Sequence, residues 1–228
     1  MSGYTDPEHH RSALITIDVQ CDTLDGGPFE IAGTSAILPR IGELAAIFRS
    51  RGAPIVHIVR IYKPDGSNVD LCRRDRVQRG ASLVITGSSG SQIAPPLLPS
   101  PLPQLDSELL LRGGIQEAGS REWIIYKPRW GAFFKTPLES HLRGLGVSTL
   151  VFTGCNFPNC PRTSIYEASE RDFRIVAIED AISGLYDRGR AELENIGVMV
   201  IDTESYVKEV AARQGPGDGH PWPGPVVL

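Results

Sequence analysis

The sequence predicts an α/β protein of three layers, α/β/α, in which helices cover both faces of a Rossmann-like, doubly wound parallel sheet of six strands. The first observation is a set of short apolar and β-branched runs, which end at Asp18, Arg60, Lys127, Gly154, Asp180 and Asp202. Such runs are typical of strands buried on both faces, as in a parallel sheet. The second observation is that helical patterns separate the runs, so right-handed crossovers place helices on both sides.

The helices between these runs carry start and stop signals. The first is predicted from Thr34, as its N-cap, to a stop at Gly52, with an apolar face made by Ile37, Ile41, Leu44 and Phe48. Residues 136–139, Thr-Pro-Leu-Glu, are typical of a capping box with proline at the first helical position. Asp187 and Thr203 are the predicted caps of the last two helices.

One domain is predicted over residues 12–214, after an N-terminal tail at residues 1–11. Residues 215–228 have the Gly- and Pro-rich composition of an extended C-terminal tail. Residues 61–121 hold no clear strand and are rich in Gly, Ser, Pro and Arg. Because a connection this long inside a compact domain is usually functional, we expect a lid or a subunit contact there.

Composition excludes several classes of partner. The chain has 228 residues and a net charge of −4, which gives no general attraction to nucleic acid or anionic membranes. No stretch approaches the roughly 20 apolar residues of a membrane span, and the polar N-terminus lacks the apolar run of a signal peptide. A cytoplasmic location is therefore expected, and in that reducing environment the four cysteines are interpreted as thiols.

Neither a metal nor another cofactor is expected. Four residues separate Cys155 from Cys160, which is neither a redox C-x-x-C spacing nor a zinc-knuckle spacing. The histidines form no pair at helical i, i+4 spacing, and His57, His141 and His220 are scattered along the chain.

Three reactive side chains follow predicted strands. Asp18 ends the first run, Lys127 ends the third, and Cys160 lies in the loop after the fourth. Ligands of open parallel sheets gather outside the carboxyl ends of the strands, so we expect these side chains to face one crevice.

Cys160 is predicted to begin a helix, because Pro161 suits a first helical turn. There the helix dipole would favour a thiolate and the free N–H groups could hold an oxyanion, while a nearby Lys127 would lower the thiol pKa further. Asp18 could take the thiol proton and return it to a leaving amine. The alternative is a buried cysteine packed under a helix start, a common position for free cysteine.

Four collinear stretches resemble the isochorismatase-like cysteine hydrolases, the group that includes nicotinamidases and N-carbamoylsarcosine amidohydrolase. They are residues 17–22 (IDVQCD), 126–139 (YKPRWGAFFKTPLE) and 150–160 (LVFTGCNFPNC), with a weaker match at 87–97 (GSSGSQIAPPL). Each is weak alone, but together they extend across residues 12–204 and are specific.

The resemblance implies an Asp18–Lys127–Cys160 triad and a thioester acyl-enzyme. It also implies a non-proline cis peptide at Cys155–Asn156, with the Asn156 N–H beside that of Cys160 in an oxyanion hole. Homodimers or homotetramers are expected for the same reason.

Several residues depart from the family pattern. Cys155 and Asn156 stand where the family has a small residue and Thr, and Pro161 replaces a β-branched residue. Residues 60–70 lack the histidines of the nicotinamidase metal site, which disfavours both metal and nicotinamide. Family members that cleave a vinyl ether lack the cysteine, so Cys160 favours C–N hydrolysis.

Residues near the strand ends are the predicted substrate-binding set, namely Gln20, Arg60, Tyr62, Trp130, Phe133, Phe134 and Phe157. For Arg60 the alternative is an ion pair with a carboxylate inside the fold, and for Phe133 and Phe134 it is core packing. The basic run Arg73, Arg74, Arg76 and Arg79 is interpreted as a solvated helix face.

The leading hypothesis is a metal-independent cysteine hydrolase that cleaves a C–N bond of a small amide, ureido or lactam substrate. One alternative is a thiol- or redox-sensing protein that uses Cys155 and Cys160. Another is a non-catalytic member of the same fold that binds a ligand or partner.

Overall fold

A computed structural model describes residues 3–212 of the chain. The predicted C-terminal tail lies outside the described residues. The strands are β1 (Ser12–Ile17), β2 (Ile55–Val59), β3 (Ile115–Gly119), β4 (Glu122–Tyr126), β5 (Thr149–Gly154), β6 (Arg174–Ile182) and β7 (Met199–Ile201). The helices are α1 (Thr34–Ser50), α2 (Leu71–Gln78), α3 (Ser107–Leu111), α4 (Leu138–Gly144), α5 (Cys160–Ser169), α6 (Asp187–Asn195) and α7 (Thr203–Ala212).

The strands form one sheet in the order β3-β4-β2-β1-β5-β6-β7, and every pair is parallel except β3 with β4. The predicted three-layer, doubly wound fold is confirmed. The predicted strand count of six is wrong, because residues 115–119 add a seventh strand at the sheet edge. This strand, Ile-Gln-Glu-Ala-Gly, lacks an apolar run because none of its residues is fully buried.

Alternate residues of β1 serve two separate cores, as the period of two along a strand requires. Ile15 and Ile17 pack in one core with residues of α4, α5 and α6. Leu14 packs in the other core, with residues of α1 and α7. All six residues of β1 are buried, which matches its position at the centre of the sheet.

Four helix starts differ from the predicted caps, and two of the side chains concerned bond to partners far away in the chain. Thr34 is the first residue of α1, after Gly33 in a left-handed conformation with φ of 84°. The capping box at 136–139 does not form, because the Glu139 carboxylate pairs instead with Arg171 at 3.0 Å. Asp187 is likewise the first residue of α6 and does not cap it, as its N-cap position is the preceding residue.

The start of α7 is capped by Asp202 rather than by Thr203. The Asp202 carboxylate accepts the Ser205 N–H at 2.7 Å, while the Thr203 hydroxyl donates to Asp180 at 2.7 Å.

The segment before β1 is attached to the rest of the fold. The Glu8 N–H donates to Thr149 Oγ1 at 2.9 Å, and the Ser148 hydroxyl donates to the Glu8 carboxylate at 2.5 Å. These contacts hold the segment at the amino-terminal ends of the strands, opposite the candidate site. Within residues 3–212, no helix is both long and apolar enough to cross a membrane.

Candidate active site

The candidate site lies where the sheet topology changes direction. The chain places β2 and β4 on one side of β1 and β5, β6 and β7 on the other. Connections diverge at this switch point and leave a crevice beyond the carboxyl ends of the strands. Asp18 follows β1, Lys127 follows β4, and Cys160 follows β5 across a short loop, so all three side chains reach this crevice.

Asp18 contributes a carboxylate with one paired and one unpaired oxygen. Its Oδ2 lies 2.8 Å from Lys127 Nζ. No N–H or O–H group of residues 3–212 donates to its buried Oδ1. The backbone of Asp18 has φ of 53°, a left-handed conformation that aspartate adopts more readily than most residues. The unpaired oxygen is therefore available to accept a proton.

Lys127 is fully buried, and each of its three donor hydrogens has a partner. Nζ contacts the Asp18 carboxylate at 2.8 Å, Cys160 Sγ at 3.3 Å and the Arg129 carbonyl at 3.2 Å. A buried ammonium group requires such pairing, because removal from water is costly. Lys127 thereby links the carboxylate to the thiol.

Cys160 is buried at the first position of α5. Burial raises the pKa of its thiol to about 11, and Asp18 raises it as well, while Lys127 and Arg60 act in the opposite direction. The expectation of a lowered thiol pKa is therefore wrong, because desolvation outweighs the two cations. The resting group at neutral pH is a thiol.

The loop between β5 and α5 holds two backbone N–H groups without acceptors. The Cys155–Asn156 peptide is cis, as the family resemblance implied. The neighbouring Phe157 N–H donates to the Ser183 carbonyl at 2.7 Å. Among residues 3–212, the N–H groups of Asn156 and Cys160 donate to no acceptor. They are thus free to bind an oxygen atom of a ligand.

Gly154 permits the close approach of β5 to β1 that places this loop. It has φ of +115°, and a Cβ at this position would lie 2.3 Å from the Ile17 carbonyl oxygen. Only glycine fits both the conformation and the spacing.

A narrow pocket opens over the thiol. Its enclosed space measures about 20 Å³, roughly the room of one water molecule. The lining comprises Asp18, Gln20, Thr23, Phe29, Ile31, Arg60, Arg73, Val84, Cys155, Asn156 and Cys160.

Of the predicted substrate-binding residues, Gln20 and Arg60 line this pocket. The Gln20 amide donates to the Arg60 carbonyl at 2.8 Å and accepts the Arg60 N–H at 2.8 Å, which ties the end of β1 to the end of β2. The Arg60 guanidinium pairs with Asp70 at 2.9 Å, the arrangement considered as the alternative for this residue. Burial alone would lower the pKa of Arg60. The neighbouring Asp18, Tyr62 and Asp70 outweigh burial and hold this pKa above its ordinary value.

Tyr62 and Trp130 lie beside the pocket rather than in its wall. Tyr62 is fully buried, and its hydroxyl donates to Asp70 at 2.5 Å. The Trp130 ring centroid lies 4.4 Å from the guanidinium carbon of Arg73.

The three predicted phenylalanines do not line the pocket. Phe133 is buried in the core against Phe173, with ring centroids 5.9 Å apart. Phe157 is buried in the same core, 5.4 Å from Tyr186. Phe134 is 44% exposed. The structure therefore confirms the alternative of core packing for Phe133. Phe157 packs in the same core.

Sequence reasoning missed Arg73, which the solvated-face interpretation had placed at the surface. Arg73 lines the pocket, its side chain is 15% exposed, and it pairs with Asp70 at 2.8 Å. By contrast, Arg79 of the same run is 78% exposed. The signal available in the sequence was the i, i+3 spacing of Asp70 and Arg73.

The described part of the chain contains no group of three or more His, Cys, Asp or Glu side chains arranged to hold a metal ion. The fold and the site define an α/β protein with a buried cysteine, carboxylate and lysine at the carboxyl edge of a parallel sheet. Residues 12–205 match the Isochorismatase domain, and the chain therefore belongs to the isochorismatase family. This confirms the family resemblance of the sequence.

Three relatives illustrate the membership. A ureidoacrylate amidohydrolase, RutB, of Methylobacterium radiotolerans is 27% identical over 87% of this chain and 76% of its own length. A protein of Arabidopsis thaliana described as a probable inactive nicotinamidase is 28% identical over 88% of this chain and 97% of its own. The crystal structure of an isochorismatase family protein from Desulfovibrio vulgaris has a TM-score of 0.75, with 28% identity over 89% of this chain and 99% of that one. Amidohydrolases among the relatives support amide hydrolysis.

Proposed function

We propose that the protein is a metal-independent cysteine hydrolase that cleaves the C–N bond of a small amide, ureido or lactam substrate. The observation that carries the proposal is the contact of one buried lysine with both the Asp18 carboxylate, at 2.8 Å, and the Cys160 thiol, at 3.3 Å. An aspartate oxygen that is free of N–H and O–H donors lies in the same pocket.

The reaction begins with proton transfer. Because burial raises the pKa of the Cys160 thiol to about 11, the group that enters the reaction at neutral pH is the thiol. Asp18 Oδ1 therefore takes the proton as Sγ attacks the carbonyl carbon. Lys127, which contacts both groups, offsets the charge of Asp18 and of the developing sulfur anion.

The carbonyl oxygen becomes an oxyanion as the C–S bond forms. The free N–H groups of Asn156 and Cys160 are proposed as its donors, and the position of Cys160 at the start of α5 adds the positive end of a helix dipole. Collapse of this intermediate breaks the C–N bond, and Asp18 returns the proton to the leaving nitrogen. The product is a thioester on Cys160.

Water completes the reaction. Asp18 accepts a proton from the attacking water, the C–S bond breaks, and the thiolate recovers the proton while the acid leaves. The ureidoacrylate amidohydrolase relative supports a ureido group as the first substrate class to screen.

The test is turnover of a panel of small amides, ureides and lactams by wild type and by Cys160→Ser. We expect Cys160→Ser to lose more than about 10³-fold in kcat/KM, and a slow substrate to leave an acyl mass on Cys160 of wild type. Cys72→Ser is the matched control, since Cys72 is an exposed cysteine outside the pocket. Full activity of Cys160→Ser would contradict the proposal.

A non-catalytic role is the second candidate, favoured by the relative described as probably inactive. It predicts no turnover of any panel member by wild type and no acyl adduct. The redox alternative requires a Cys155–Cys160 disulfide. Peptide mapping after mild oxidation tests it, and burial raises the pKa of the Cys155 thiol to about 12, which disfavours the required thiolate.

A further inference from the structure

The wall of the pocket formed around Asp70 carries an excess of positive charge. Asp18 is paired with Lys127, whereas the single carboxylate of Asp70 is shared by Arg60 at 2.9 Å and Arg73 at 2.8 Å. The half-exposed Arg129 also approaches Asp70, at 4.0 Å. Three arginines therefore share one carboxylate, which leaves two positive charges in excess around Asp70.

Asp18 also raises the pKa of Arg60, but its carboxylate is already paired with Lys127 at 2.8 Å. The other neighbouring groups do not neutralise the excess positive charge. The Asp22 carboxylate accepts the Val84 N–H at 2.6 Å and forms no ion pair with Arg60 or Arg73 in the described part of the chain. The Tyr62 hydroxyl donates to Asp70 and stays neutral, since burial raises the pKa of this phenol. Cys160 is a thiol at neutral pH.

Arg73 is the group whose donors remain available. Only its Nη1 donates, to Asp70 and to the Tyr62 hydroxyl. Among residues 3–212, its Nε and Nη2 have no acceptor. The guanidinium contacts two aromatic rings, with its carbon 5.1 Å from the Phe29 centroid and 4.4 Å from the Trp130 centroid. A planar fork held this way is suited to a carboxylate.

We propose that Arg73 binds a carboxylate of the substrate, so that the hydrolase acts on small amides or ureides that carry an acid group. This rests on the proposed function for its chemical step, but the binding itself does not depend on turnover. Arg73 would set substrate specificity, with Asp70, Phe29 and Trp130 as positioning residues.

The experiment compares two alkylating agents that differ only in charge. Iodoacetate and iodoacetamide both form an S–C bond with the Cys160 thiolate and release iodide. The rate ratio of iodoacetate to iodoacetamide at Cys160 is measured by peptide mass spectrometry and divided by the same ratio for glutathione. We expect a normalised ratio on the order of 10 for wild type, because one charge-assisted contact between Arg73 and the carboxylate should favour iodoacetate by about that factor.

Arg73→Gln is expected to lower this ratio about tenfold. Because both agents react with the same thiol, a change in the reactivity of Cys160 itself cancels in the ratio. Arg73→Lys keeps the charge and is expected to retain more of the preference than Arg73→Gln. Arg79→Gln is the matched control, since Arg79 belongs to the same basic run but is exposed and does not line the pocket. It should match wild type.

A second readout tests the substrate class. The acid 3-ureidopropionate should slow iodoacetamide labelling of Cys160, whereas its methyl ester should not. A wild-type ratio equal to that of glutathione, an equal loss in Arg73→Gln and Arg73→Lys, or protection by the ester as strong as by the acid would each overturn the proposal. None of these outcomes bears on the Cys160→Ser turnover test, so the two proposals fail separately.

Discussion

Lys127→Met is expected to destabilise the protein by about 3–5 kcal/mol at neutral pH, the usual cost of removing one partner of a buried ion pair. The structural basis is that Lys127 is fully buried and its Nζ contacts a carboxylate, a thiol and a carbonyl. Methionine fills a similar volume, so the loss reports on the uncompensated Asp18 charge rather than on a cavity. Urea denaturation followed by circular dichroism measures the free energy of unfolding.

A double-mutant cycle isolates the pair. Asp18→Asn removes the charge that Lys127 balances, so the double variant should be more stable than the sum of the single losses predicts, by about 1–3 kcal/mol. Lys208→Met is the control, because Lys208 forms an exposed pair with Glu204 at the surface and should unfold like wild type. A loss below about 1 kcal/mol in Lys127→Met, or strict additivity with Asp18→Asn, would refute this reasoning.

Two further predictions follow from the site. The rate of iodoacetamide labelling of Cys160 should rise about tenfold per pH unit between pH 8 and 10 and reach half its maximum near pH 11. The reason is that the thiol of the folded protein stays protonated until the pH approaches its raised pKa. A labelling rate that levels off by pH 9 would contradict the raised pKa. Gly154→Ala should cost roughly 2–4 kcal/mol of unfolding free energy and reduce labelling of Cys160, because its Cβ would meet the Ile17 carbonyl at 2.3 Å. Gly144→Ala in α4, where a Cβ meets nothing within 4 Å, is its control, and equal thermal melts of the two variants would refute the argument.

The proximity of Asp18, Lys127 and Cys160 could be predicted from the sequence because strand order along the chain constrains where strand ends meet. Each side chain follows an apolar run, and parallel strands deliver their carboxyl ends to the same edge. Pro161 likewise predicted a helix start at Cys160, which is the first residue of α5. These features depend on local residues and on the rule that parallel strands place their carboxyl ends at one edge of the sheet.

The edge strand at residues 115–119 escaped the same reasoning. It pairs with β4 on one side only, so its residues need no continuous apolar pattern. The helix caps also differed, because Glu139 and Thr203 had partners far away in the chain, Arg171 and Asp180. The spacing of residues along the chain predicts hydrogen bonds between near neighbours, but it does not predict such distant partners.

The sequence by itself determined the fold class, the family and the three reactive side chains at the strand ends. The tertiary structure alone decided the protonation of Cys160 and the identity of the pocket wall. Burial, which raises the thiol pKa, depends on atoms contributed by several elements. The sequence pattern made Arg73 one of several solvated arginines, whereas the folded chain brings Phe29 and Trp130, from two distant segments, against its guanidinium. Charge and desolvation act through space, and only the folded chain defines those distances.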